Sequence, residues 1–101
     1  MMTLKQYLLN HLMEECSEVQ KAASKCNRFG LTHFWANEKK LNRVALRDEL
    51  LDVMVLAREL ESAGVIDSIV AADVLEHSKA TSERRLRVFE MSVKMGHVEG
   101  P

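Results

Sequence analysis

The stretch Leu41–Ser62, LNRVALRDELLDVMVLARELES, decides the fold. It holds neither proline nor glycine, and its apolar residues recur at helical spacing through Leu46, Leu50, Val53 and Ala57, so it predicts one long helix that ends before Gly64. A helix this greasy around its circumference is expected at the centre of the molecule. Two acids break the pattern. On a wheel of about 100° per residue, Glu49 falls between Leu56 and Leu60 at the flank of the apolar face. Asp52 follows beside it, while Asp48 turns away toward solvent. An ionised carboxylate taken out of water without a partner costs several kcal/mol, so Glu49 and Asp52 need a cation or a proton.

The same anomaly stands on the N-terminal side. Thr3 and Gln6 form a capping box, and Leu4, Leu8, Leu12, Val19, Ala22, Ala23 and Cys26 carry a helical stripe from about Thr3 to about Asn27, with Gly30 as its stop. Within EECSEVQK (Glu14–Lys21), Glu15 falls inside that stripe, Glu18 lies at its edge one turn on, and Glu14 points toward solvent. Each long helix thus carries one inward pair of acids at i,i+3 spacing, which stacks two side chains on one face. A single such pair reads as ordinary surface decoration; a second pair on a second apolar flank weakens that reading without removing it. If the two helices pack antiparallel, Glu15, Glu18, Glu49 and Asp52 converge. Four converging carboxylates repel one another unless cations bind, and hard divalent ions such as Mg2+ favour oxygen ligands.

Beyond Gly64, Asp67 is a candidate cap for a third helix from about Ser68 toward Lys79. Thr81 and Ser82 start a fourth ending near Gly96, or the two form one kinked helix. The final residues 97–101 read as a frayed tail, and residues 1–96 as a single domain. With 101 residues, one proline, four glycines and 47% hydrophobic but only 5% aromatic content, the chain suits an all-α fold. We expect a helical hairpin completed by one or two further helices, with a four-helix-bundle-like core built on oligomerisation. Fifteen acids against fourteen bases give a net charge of −1, which argues against a DNA or RNA polymer as partner. No apolar run approaches the length of a membrane span and no secretory leader is evident, so a cytoplasmic location is expected. Cys16 and Cys26, ten positions apart on one helix, are too distant for a disulfide within it and lack zinc-ligand spacing; both are expected to be reduced packing residues.

EECSEVQKAASK followed by DELLDVMVLARELE resembles the all-α nucleoside triphosphate pyrophosphohydrolase superfamily, which includes MazG-like, dimeric dUTPase-like and dCTP pyrophosphatase-like enzymes. Its hallmark, E-x-x-E on one helix and E-x-x-D on the next, corresponds here to Glu15, Glu18, Glu49 and Asp52. The resemblance covers the first two helices, and the gap between the two motifs is on the long side. It implies a homodimer or homotetramer, dependence on Mg2+ (with Mn2+ as a substitute), and hydrolysis of a nucleoside triphosphate to the monophosphate and pyrophosphate in nucleotide-pool housekeeping. The four acids would then be both metal ligands and the catalytic set.

Candidate substrate contacts surround them. Lys25 lies nearly on the wheel line of Glu18, two turns on, and with Arg28, Lys79 and Arg84 is a candidate for phosphate; Lys21 reads better as a solvated partner of a nearby acid. His11, one turn before Glu15, is a candidate for a base or sugar contact, since Mg2+ prefers oxygen. Phe34 and Trp35, in the aromatic segment FGLTHFWANEKK (Phe29–Lys40), offer stacking faces for a base, and Asn42 an amide edge. A di-iron carboxylate bundle would need Glu-x-x-His motifs, and the chain has none. The remaining rival is a non-catalytic helical oligomerisation or nucleotide-sensing module.

Overall fold

The computed structural model describes residues 1–34 and 39–100. Its elements are three helices, α1 (Leu4–Phe29), α2 (Asn42–Ser62) and α3 (Ala71–Lys94), and the described residues contain no strand beyond an isolated bridge between Phe34 and Leu41. The all-α expectation holds. The chain divides into two compact units, Met1–Asp67 and Ser68–Pro101. None of its helices is long and apolar enough to cross a membrane among the described residues.

The first unit is the α1–α2 hairpin. At its start, the Thr3 hydroxyl accepts from the Gln6 backbone N–H (3.1 Å) while the Gln6 side chain accepts from Thr3 N–H (2.9 Å), which satisfies two donors that a helix start otherwise leaves unpaired. At its other end Gly30, with φ +95°, closes α1 through a 3.0 Å bond from its N–H to Cys26 O. A Cβ there would lie 3.0 Å from His33 Nδ1, in a backbone region that L residues rarely adopt.

Helix α2 has no side-chain cap. Its first free donors go instead to the turn after α1: Asn42 N–H to His33 O (2.8 Å) and Arg43 N–H to Leu31 O (3.0 Å). At its C-terminus Val65 N–H bonds Leu60 O and Gly64 N–H bonds Glu61 O, with Gly64 at φ +71°. That is a Schellman closure, and Val65 packs back on the core beside Leu60.

The two helices meet along a heptad seam. On α1 the buried or half-buried line runs Leu8, Leu12, Glu15, Val19, Ala22, Cys26; on α2 it runs Asn42, Leu46, Glu49, Val53, Leu56, Leu60. Leu8 packs with Leu56 and Leu60, Glu15 meets Glu49, and Ala22 and Asn42 line one cleft. The pairing is therefore antiparallel, in layers seven residues apart. Leu8, Leu56 and Leu60 form the one core cluster described, each contributing about 1.5 to 3 kcal/mol by leaving water.

Two expectations change here. The apolar face centred on Leu46, Leu50, Val53 and Ala57 is displaced: Leu50 is exposed, and the buried line passes through Glu49 itself. The cause is that α2 is apolar on more than one side, with Leu50, Leu51, Met54 and Val55 all exposed, so a wheel centred on its greasiest direction averages two faces. Cys16, expected to pack, is exposed, while Cys26 is half-buried on the seam; both are free thiols.

In the second unit, α3 starts at Ala71 rather than near Ser68. Asp67 does not cap it: residues 67–70 carry no regular structure, Val70 is extended (φ −103°, ψ 159°), and the Asp73 carboxylate accepts from Val70 N–H at 3.3 Å. The β-branched pair Ile69–Val70 favours extended backbone and delays the helix. Nothing interrupts α3 at Thr81, so the alternatives of two helices or one resolve to one. A second Schellman closure ends it, with His97 N–H on Ser92 O and Gly96 at φ +76°.

Candidate metal centre

The central layer of the hairpin is charged. One carboxylate oxygen from each of Glu15, Glu49 and Asp52 lies within 4.8 Å of the others, with Glu15 and Glu49 half-buried and Asp52 exposed. At such a range two unit charges repel by about 1 kcal/mol in water and about 3 to 4 kcal/mol at an effective dielectric constant of about 20. Acids on open helix faces avoid one another by swinging into solvent; Glu15 and Glu49 sit on the seam between two helices. The layer therefore opposes the hairpin that the leucine layer holds together.

Glu49 registers this. Its carboxyl is pushed above the ordinary value first by desolvation, then by the negative charges of Asp52, Glu15 and Glu18. Lys40 pulls the other way, but its ammonium is committed to Asp48 at 2.7 Å. That bond holds Lys40 above and Asp48 below their ordinary values. Glu18 pairs with Lys21 at 3.2 Å, both ends largely in solvent. An all-oxygen donor set with surplus negative charge is one that a hard divalent cation could occupy; Glu15, Glu49 and Asp52 could hold it, and Glu18 is not among the three that converge.

Two clefts adjoin the layer. Glu18, Lys21, Ala22, Lys25, Asn42, Ala45 and Glu49 line one; His11, Glu15, Asp52, Val55, Leu56 and Glu59 line the other. Lys25, Asn42 and His11 thus stand beside the acids. His11 also stacks edge-on against Tyr7, ring centroids 5.1 Å apart. Glu59 was missed by the sequence reading, although it follows Asp52 by seven residues and so shares its face.

The remaining candidates divide. Arg28 is outside both clefts, its guanidinium 5.2 Å from the Phe29 ring centre. Phe34 is exposed and bridges Leu41. Trp35 lies outside the described residues. Lys79 and Arg84 are exposed on α3, in the second unit. When the chain is compared with known proteins, no family model, no curated protein and no solved structure matches it.

Proposed function

We propose that this chain is a Mg2+-dependent nucleoside triphosphate pyrophosphohydrolase, working as a homodimer or homotetramer. The observation that carries the reading is the convergence of Glu15, Glu49 and Asp52 from two helices onto one half-buried spot. Proteins do not crowd carboxylates on a helix seam for stability, because each uncompensated charge there opposes folding. The reaction class is what the resemblance of the E-x-x-E and E-x-x-D pairs to the all-α nucleoside triphosphate pyrophosphohydrolase superfamily implies.

When bound, Mg2+ would supply positive charge to offset the phosphate oxygens and to make the attacking water more acidic. Glu15, Glu18, Glu49 and Asp52 would hold that charge in place, and Lys25, half-buried in the adjoining cleft, would set an ammonium near a phosphate. In the hydrolysis a water oxygen bonds the α-phosphorus, the bridging α–β P–O bond breaks, and pyrophosphate leaves. The water's proton passes to one of the same carboxylates.

The test is a release assay with Mg2+ over the canonical and modified ribo- and deoxyribonucleoside triphosphates, reading pyrophosphate against orthophosphate. Glu15→Gln and Glu49→Gln are each expected to lower pyrophosphate release by about a hundredfold or more, the scale of losing one electrostatic contact to the transition state, with helix content retained. An active double variant would sink the site assignment. Absence of turnover with every triphosphate leaves the rival, a non-catalytic helical oligomerisation or nucleotide-sensing module, for which the exposed Leu50, Leu51, Met54 and Val55 would equally serve as the assembly face.

A further inference from the structure

The carboxylates and both clefts open on one face of the α1–α2 hairpin, and the opposite face is apolar. On a wheel of about 100° per residue, His11 and Glu18 fall to one side of the α1 seam, while Leu9, Met13, Cys16 and Ala23 fall to the other. On α2, Asp52 and Glu59 stand to one side of the seam, and Leu50, Met54 and Ala57 to the other. Both helices are right-handed and they run antiparallel, so the same sense of rotation leads to the same face of the hairpin. Two helices thus lay the back face together. On α1 a heptad line from Met2 through Leu9, Met13, Cys16 and Ala23 to Asn27 holds no charged side chain, its remaining positions being Gln6 and Gln20. Met2, Met13, Leu50 and Met54 on this face are 53%, 63%, 46% and 64% exposed.

The charges on this face complement themselves. On α2 the matching line steps through Arg43, Arg47, Leu50, Met54, Ala57 and Glu61, basic at its start and acidic at its end. A second α2 laid on it antiparallel sets Arg43 against the partner's Glu61 and Leu50 against the partner's Met54, and charges that flank an apolar seam set the orientation of paired helices. Because Glu15 meets Glu49, Met13 stands level with the middle of that line. One two-fold axis therefore serves both helices, with Met13 beside the partner's Met13. The size is sufficient as well: the 21 residues of α2 span about 30 Å and two helices abreast about 20 Å. That is roughly 600 Å² per copy, which carries a two-copy interface past the ~1,000 Å² expected of a specific one. We propose that the back face is the docking surface for a second copy of this chain, two hairpins packing back to back as a four-helix bundle with their carboxylate clefts outward. This dimer is the homo-oligomer of the reading above, on which it rests, now given a face and an axis.

The test reads assembly and face separately. In sedimentation velocity, wild type is expected to run as a dimer or larger. Met13→Lys, at an exposed position where no cavity opens, is expected to shift toward monomer with its helix content kept by circular dichroism. In the wild-type protein, alkylation of Cys16 by iodoacetamide, read by peptide mass spectrometry, is expected to slow as protein concentration rises, because this free thiol, exposed in the single chain, stands on the covered face. Met13→Cys in a Cys16→Ser, Cys26→Ser background is expected to give cross-linked dimers with a short bis-maleimide, and Glu14→Cys, turned to the other side, to give none. A wild-type monomer at all concentrations overturns both this inference and the assembly in the reading above. Either an assembly that Met13→Lys leaves intact, or a Cys16 that reacts equally at every concentration, overturns the face and leaves that reading standing. Cross-linking at position 14 in place of 13 overturns the two-fold arrangement. Mg2+-dependent pyrophosphate release is measured on the same preparations, so loss of the reaction and loss of the interface are told apart.

Discussion

Glu49 shows how one side chain sets the balance between stability and use. Its carboxyl titrates above the ordinary carboxylate value, chiefly because folding takes it partly out of water, with Asp52, Glu15 and Glu18 adding to the shift. The folded state therefore holds the proton more tightly than the unfolded chain does. Stability falls as pH rises from the ordinary carboxylate range through Glu49's raised value, and the loss is complete above it. Asp48, held below its ordinary value first by its bond to Lys40, acts in the opposite sense and weakens the fold only as pH falls. Its pair is exposed, so that effect is small. In metal-free buffer at neutral pH, Glu49→Gln is expected to melt at a higher temperature than wild type and to show a flatter pH dependence. Thermal melts followed by circular dichroism between about pH 4 and about pH 8 measure both. Added Mg2+ should raise the melting temperature of wild type more than that of the variant. A variant that melts lower in metal-free buffer would mean that the carboxylate layer is not under electrostatic stress.

Helix ends were the most legible elements, because their determinants are local. Thr3, Gln6 and Gly30 announce the limits of α1 within a few residues of sequence, and the observed hydrogen bonds match them. Thr3 is exposed, so Thr3→Ala loses the cap without opening a cavity. It is expected to cost about 1 kcal/mol in urea denaturation, with Thr3→Ser recovering most of it. The start of α3 was misread for a nonlocal reason: Asp67 and Ser68 have cap chemistry, but the conformations of Ile69 and Val70 postpone the first turn. Helix α2 was legible as a helix but not in its orientation. Several of its faces are apolar, and only the partner helix decides that Glu49 belongs to the buried line while Leu50 does not. The acid pairs were found through spacing, which survives an error in orientation. The burial of Asn42 was beyond reach, since its Nδ2 donates to a turn carbonyl, that of Gly30, twelve residues away.

At the scale of the whole molecule, too few residues are buried for a chain this apolar. Among the described residues only Leu8, Ala22, Leu56 and Leu60 form the buried hydrophobic set, while Leu50, Leu51, Met54 and Val55 stay uncovered on α2. A chain of this size that leaves one long helix apolar on its outer side gains most by covering it with a second copy. Met54, 64% exposed, stands on that side and touches neither cleft. Met54→Lys is expected to shift the proposed dimer or tetramer toward monomer in sedimentation velocity runs; a wild-type monomer at all concentrations would refute the proposed assembly. A different consequence follows from how the hairpin is fastened. Asn42 and Arg43 are tied to Gly30, Leu31 and His33, and Phe34 bridges Leu41, so the chain is already closed on both sides of positions 35–38. The register of α1 against α2 is thus pinned by the described residues 30–34 and 41–43 themselves.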